Sequence, residues 1–266
     1  MRMPTIVSNH HTGSFGLVPR LKAAAIHLVL SVLVAAVCAL LVFALWYPYP
    51  YRVLSGGREL FMLVVSVDIV IGPLITFAVF NLAKPRAELK RDLAVVGLLQ
   101  LMALGYGLWT VNLARPVHLV FEYDSFRVVH QVDVPRDLLK QTPPGIEVAP
   151  LRGPTLLALR PFRNGQEKFD MTMQALQGVQ LAARPDLWRP YASERTAILR
   201  AAHPIAALKG RFPKRSDEID AAVRATGKSE NQLVYLPLLG RKMEAWTVLL
   251  DASNADILGY LPLDPF

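Results

Sequence analysis

Three long apolar runs fill the chain up to Leu113, and alternating apolar and polar positions replace them afterwards. The runs cover residues 23–46, 60–82 and 93–113, and each reaches the ~20 residues that a helix needs to cross a bilayer. Each run carries one small or polar stripe at helical spacing. The first holds His27, Ser31, Ala35 and Cys38, the second Asp68, Gly72 and Thr76, and the third Gln100, Ala103, Gly107 and Thr110. Such stripes face protein while the remaining Val, Ile, Leu and Phe face lipid, so the pattern predicts a compact bundle of three transmembrane helices. Pro73 has no N–H for the carbonyl of Ile69, which predicts a kink. A charge at membrane depth costs about 2.5–3.5 kcal/mol, so Asp68 is expected to find a partner inside the bundle. At ~1.5 Å per residue, Asp68 lies about 12 Å and Tyr106 about 10 Å below the same membrane face. Tyr106 is therefore its expected partner, and the same count levels Gln100 with Thr76.

The first run is too long for a signal-peptide core of about 7–15 residues. Val37 ahead of Cys38 fits a lipoprotein cleavage site poorly, and apolar residues continue beyond it, so a retained helix is expected. Between the first two runs lie Trp46-Tyr47-Pro48-Tyr49-Pro50-Tyr51 and Ser55-Gly56-Gly57-Arg58-Glu59. Trp and Tyr favour the membrane–water interface, prolines stop the helix, and the glycine pair permits a sharp turn. The segment reads as an aromatic anchor and turn, or as a docking edge for another membrane protein. Lys84, Arg86, Lys90 and Arg91 crowd the short connection between the second and third runs, and Arg20 and Lys22 precede the first. Positive charge stays cytoplasmic. The organisation expected is a cytoplasmic tail (1–22), three transmembrane helices (23–114) and an extracytoplasmic domain (115–266).

That last region opens with two alternating stretches, Val117 to Tyr123 and Phe126 to His130. A two-residue turn at Asp124-Ser125 would set Glu122 opposite Arg127 and gather Leu119, Phe121, Tyr123, Phe126 and Val128 on one face. A Pro-rich loop follows from Thr142 to Pro154. Helical patterns cover 166–183 and 193–202. Another helix starts at Ser216 as its cap, with Asp217 and Glu218 in the first turn and Gly227 past the end. Strands are expected near 233–239, 245–250 and 257–261. Strands, then helices, then strands indicate an α+β domain.

Composition supports this picture. Hydrophobic residues make up 53% of the 266-residue chain and the mean hydropathy is +0.32. The net charge of +8 raises the question of nucleic acid. Its distribution argues against it: nine Lys/Arg against four Asp/Glu precede Arg115, and 20 against 17 follow from there. The excess therefore sits beside the apolar runs, as membrane topology requires. Cys38 is the single cysteine, which excludes an internal disulfide and any thiol chemistry in the outer region. There is no G-x-S-x-G, H-E-x-x-H or P-loop signature. His10-His11 lie on a polar tail without a scaffold for metal, and the spacing of His118, His130 and His203 asks for no shared site. Asp251 to Asp256 lacks the glycine and terminal glutamate of a calcium loop. No catalytic, cofactor-binding or metal-binding set is assigned.

The ordered series WYPYP, GGREL, VDIVIGPLITFAVFN, DLAVVGLLQLMALGYG and ARPVHLVFEYDSFRVV resembles the type IV pilin accessory proteins. LVYLPLLGRK and ILGYLPL extend the resemblance more loosely, and the segment before Arg20 lies outside it. The resemblance implies a chaperone-like helper in the bacterial inner membrane that supports stability, assembly or surface display of a cognate pilin. Its partners would be that pilin, the pilus assembly machinery and the lipid bilayer. Packing or partner contact falls on Asp68, Gly72, Pro73, Thr76, Gln100, Tyr106 and Gly107. A docking loop falls on Trp46, Tyr47, Pro48, Gly56, Gly57, Arg58 and Glu59. The alternative is a small transport or proton-relay unit built on Asp68, weakened by the absence of further ionisable groups in series.

Overall fold

A computed structural model describes residues 16–241 and 245–266; His10 and His11 lie outside the described residues. Three helical stretches, Leu17–Trp46, Gly57–Val79 and Arg86–Leu113, are long and apolar enough to cross a membrane. The first is α1 (Leu17–Leu41) continued by a π-helical turn at Val42–Trp46. A short α2 (Tyr51–Leu54) precedes α3 (Gly57–Val79) and α4 (Arg86–Leu113). All three long helices begin before the apolar runs do. Apolarity marks what lipid can cover, whereas helix continues through any flanking residues with good propensity. Pro19 sits in the first turn of α1, where its missing N–H has no helical partner to lose. The expected four-cation loop is mostly the first turns of α4. Lys84 just ahead of it pairs with Asp92 at 2.7 Å and Glu88 at 3.5 Å.

The chain forms two compact units. Among the described residues, one contains 16–37 with Leu63–Gly107, the other Cys38–Met62 with Leu108–Phe266. In the first, the large apolar side chains mostly point outward: Leu63, Leu74 and Leu101 are 66%, 59% and 66% exposed. Surface of this kind is satisfied by lipid rather than water. Gly107 lies against Val64, and Gly72 against Gln100. Gln100 is thus level with Gly72, about one turn from its expected place beside Thr76. The helix starts at Gly57 instead of 60, and three residues are about 4.5 Å of rise.

The second unit is built on a mixed sheet. Its strands are β1 (Pro116–Glu122), β2 (Ser125–His130), β3 (Thr155–Leu159), β4 (Trp188–Pro190), β5 (His203–Pro204), β6 (Leu233–Leu239), β7 (Ala245–Asp251) and β8 (Ile257–Leu261). The order is β4-β3-β1-β2-β6-β7-β8, with β5 paired to β6. The β1–β3 and β2–β6 pairs are parallel, while β1–β2 and β6–β7–β8 are antiparallel. Both faces are covered. Leu119, Phe121, Phe126, Val128, Leu236, Leu238, Val248 and Leu250 share one face, closed by Tyr191 and by Ile198 of α6 (Arg195–Ala201). The opposite face divides in two. Val120, Val129 and Leu157 pack with Met171 of α5 (Gly165–Leu176) and Trp188. Leu233, Tyr235 and Leu249 pack under α7 (Ile205–Arg211) and α8 (Ser216–Ala225). The two ends of the sheet approach each other: Tyr191 donates to the carbonyl of Ala255 at 2.5 Å, and Arg195 pairs with Asp256 at 2.7 Å.

Two local expectations are corrected. The first hairpin turns at Tyr123-Asp124, pairing Phe121 with Phe126 and Val120 with Arg127. The slip is two residues, so Leu119, Phe121, Phe126 and Val128 still share a face, while Tyr123 leaves it and packs with the opposite cluster. Tyr123 takes φ of 65°, which local sequence does not announce; its hydroxyl on the Arg160 carbonyl (3.1 Å) and its ring on Phe162 hold it there. Ser216 begins α8 but donates to the carbonyl of Pro213 at 3.0 Å instead of accepting as a cap. Asp217 and Glu218 do occupy the first turn, and Gly227 follows the helix at φ 71°.

Candidate functional site

The helical stripes converge on a cleft of about 520 Å³ within the first unit. Its polar lining is His27 and Ser31 from α1, Asp68 and Thr76 from α3, and Gln100 from α4. The spacing of four that placed these residues on single faces is what brings them together. His27 Nδ1 and Thr76 Oγ1 are 2.5 Å apart, and Thr76 is buried. Gln100 Nε2 donates to the main-chain carbonyl of Asp68 at 3.3 Å. That bond lies in the turn where Pro73 cannot donate to the carbonyl of Ile69, and side chains of neighbouring helices relieve such turns. Gly72 admits Gln100: an added Cβ would meet its amide group. Tyr106 is 68% exposed. Asp68 lines the cleft, and its main-chain carbonyl carries the contact from Gln100.

The second set of candidate residues lies between α1 and α3. Trp46 ends the π-helical turn and Tyr47 is buried, donating to the carbonyl of Val111 at 3.1 Å. Gly57 is required by the Tyr47 ring, which occupies the place of a Cβ. Gly56 turns the chain at φ 68°, and Arg58 and Glu59 are exposed in the first turn of α3. Pro48 is half-buried. The sequence reading missed the two residues that do most here. Tyr51 and Leu54 of α2 are buried in the main cluster of the sheet, and the Tyr51 hydroxyl meets that of Tyr260 at 3.0 Å. A run of alternating Tyr and Pro looks interfacial, and only a long-range contact shows that it is core.

The buried histidines have local partners. His118 contacts Thr155 Oγ1 at 2.7 Å and the Val148 carbonyl at 3.0 Å, with its ring 4.5 Å from Trp188. Burial pushes its pKa down to about 4, against a smaller upward pull from the Val148 carbonyl. His130 meets Asp133 at 3.0 Å. Burial pushes Asp133 up, but the His130 contacts outweigh it and the carboxyl ends below its usual range. Among the described residues no three His, Cys, Asp or Glu side chains group as metal ligands. The cleft offers hydrogen-bond donors and acceptors in an apolar trough.

A family model described as fimbrial assembly protein FimB matches residues 15–56. Two fimbrial assembly proteins of Dichelobacter nodosus, of serogroup E1 and serogroup I, are each 35% identical over 246 residues. Each alignment covers 92% of this chain and 95% of the relative. A third, of serogroups C1 and C2, is 42% identical over 120 residues, or 45% of this chain and 92% of its own length. No solved structure matches.

Proposed function

The chain belongs to the fimbrial assembly proteins, and on that premise we propose that it is a chaperone-like accessory protein of the bacterial inner membrane that supports one cognate type IV pilin. The observation that carries the reading is similarity to fimbrial assembly proteins along nearly the whole chain. Residues 1–22 form a cytoplasmic tail, residues 23–114 the membrane segment and residues 115–266 a periplasmic domain. A fimbrial subunit held by an apolar helix in the same bilayer would meet the cleft lined by Asp68, Thr76 and Gln100. Gly72, Pro73, Tyr106 and Gly107 belong to the same packing surface. The loop from Trp46 to Glu59 and the sheet domain would meet the part outside. Binding alone protects such a subunit, so no catalytic step is needed.

Deletion of the gene tests this. Surface fimbriae and subunit protein are expected to fall while the subunit transcript holds steady, and the restored gene is expected to return both. Normal fimbriation in a clean deletion with no second copy would end the reading.

A further inference from the structure

The open end of the sheet indicates how a partner is held. Among the described residues β8 has β7 on one side and no strand on the other. The opposite end is blunted: β4 is three residues long and finishes in Pro190, which has no N–H to offer. β8 (Ile257–Leu261) contains neither a charge nor a proline, and its pairing with β7 shifts register between Leu249 and Leu250. β4 pairs only with Leu157–Leu159, so Thr155 and Leu156 of β3 extend beyond it.

The half-buried β8 edge and the start of β3 border one groove of about 420 Å³. Leu156 and Pro154 line it from one side, Ile257, Leu258 and Tyr260 from the other, and Tyr49 stands at its rim. Leu156 is 38% and Tyr49 54% exposed. The hydroxyls of Tyr51 and Tyr260 satisfy each other at 3.0 Å and their rings pack edge to face, so the groove has an aromatic wall without an unpaired hydroxyl. An open strand edge specifies its occupant chemically. Its donors and acceptors repeat along an extended line, and another extended backbone is what matches them. The groove adds room for an apolar side chain from that backbone.

We infer that the β8 edge and this groove hold an extended apolar segment of the fimbrial subunit, added to the sheet as a further strand. The inference rests on the fimbrial-assembly reading and names the contact through which it works. It is tested with the purified full chain in detergent and the purified subunit from the same cell. Subunit binding is expected to slow amide exchange in Ile257–Leu261 by about tenfold or more, as pairing into a ladder does. Leu156→Glu places a charge in the groove and is expected to weaken binding by about tenfold. Phe169→Glu, at an exposed position on α5 outside the groove, is expected to leave it unchanged.

Binding without protection of β8 overturns the inference, and so does failure to bind. In both cases the deletion phenotype decides the assembly reading separately. Protection that grows with chain concentration in the absence of subunit assigns the edge to a second copy and overturns the inference as well. Subunit-dependent protection, lost in Leu156→Glu, upholds it. In a deletion strain that still builds normal fimbriae, that result would keep the contact and sink the assembly role.

Discussion

His118 shows how a single buried group ties stability to pH. Its folded pKa of about 4 lies below the ~6.5 of an unfolded chain, so the folded state resists protonation. Its contribution is complete above about pH 6.5 and is lost as pH falls from there toward about 4, where both states are protonated. The loss is on the order of 3 kcal/mol. Denaturant unfolding of the full chain at a series of pH values is expected to show this slope, and His118→Gln to flatten it. Glu167 and Asp251, drawn down to about 2 by hydrogen bonds from Arg160 and Ser253, act below that window. Asp68 poses a different question. Gln100 holds its main chain, so Asp68→Asn is expected to keep protein level and fimbriation near wild type. Asp68→Leu removes a polar group from the cleft and is expected to lower the level, for a cost of about 1 kcal/mol. Loss of function in Asp68→Asn at normal level, read by immunoblot and fimbrial counts, would favour a proton relay.

The connection between the first two long helices behaves as an element of the sheet unit. Tyr47 donates to Val111, Leu45 accepts from Gly153, and Tyr51 and Leu54 enter the sheet cluster. Gly240 completes the fit, since a Cβ there would come within 2.5 Å of Leu54. Leu54→Ala is expected to destabilise the sheet unit by about 2–5 kcal/mol, as truncation in a packed core does. Tyr51→Phe, which deletes only the Tyr260 hydrogen bond, is expected to cost about 0.5–1.5 kcal/mol. Denaturant unfolding followed by Trp fluorescence checks both. Equal small effects would show that the loop merely lies on the sheet. Arg115 secures the other crossing between helix and sheet. Its guanidinium donates to Asn112, Gln131 and the carbonyls of Ala149 and Pro150, which fixes the end of α4 against the start of the sheet.

At the scale of the whole molecule, the distribution of Lys and Arg makes orientation testable. Alkaline phosphatase fused after Thr142 is expected to be active, and fused after Pro85 inactive. The reverse pattern would place the sheet unit in the cytoplasm and remove it from any contact with a subunit outside the membrane. The same scale explains why the chain mixes two surface chemistries. The three long helices leave Leu, Val and Ile outward, whereas the sheet unit hides such residues on both faces and presents charge. One solvent cannot satisfy both.

The sequence by itself determined the three long helices, because spanning an apolar layer requires a length and composition that can be read locally. It also determined the polar stripes, which follow from helical periodicity, and the last three strands, whose alternation matches a sheet with buried faces. Only the tertiary structure decided how these parts meet. The pairing of Gln100 with Asp68 and Gly72 depends on where α3 starts, and a shift of three residues moves every contact by a turn. The hairpin register depends on Tyr123 being held at positive φ by Arg160 and Phe162, distant in sequence. The burial of Tyr51 and Leu54, and the meeting of β3 with β8 across one groove, depend on the curl of the sheet. In each case the deciding energy is a contact between residues far apart along the chain, and no local pattern encodes it.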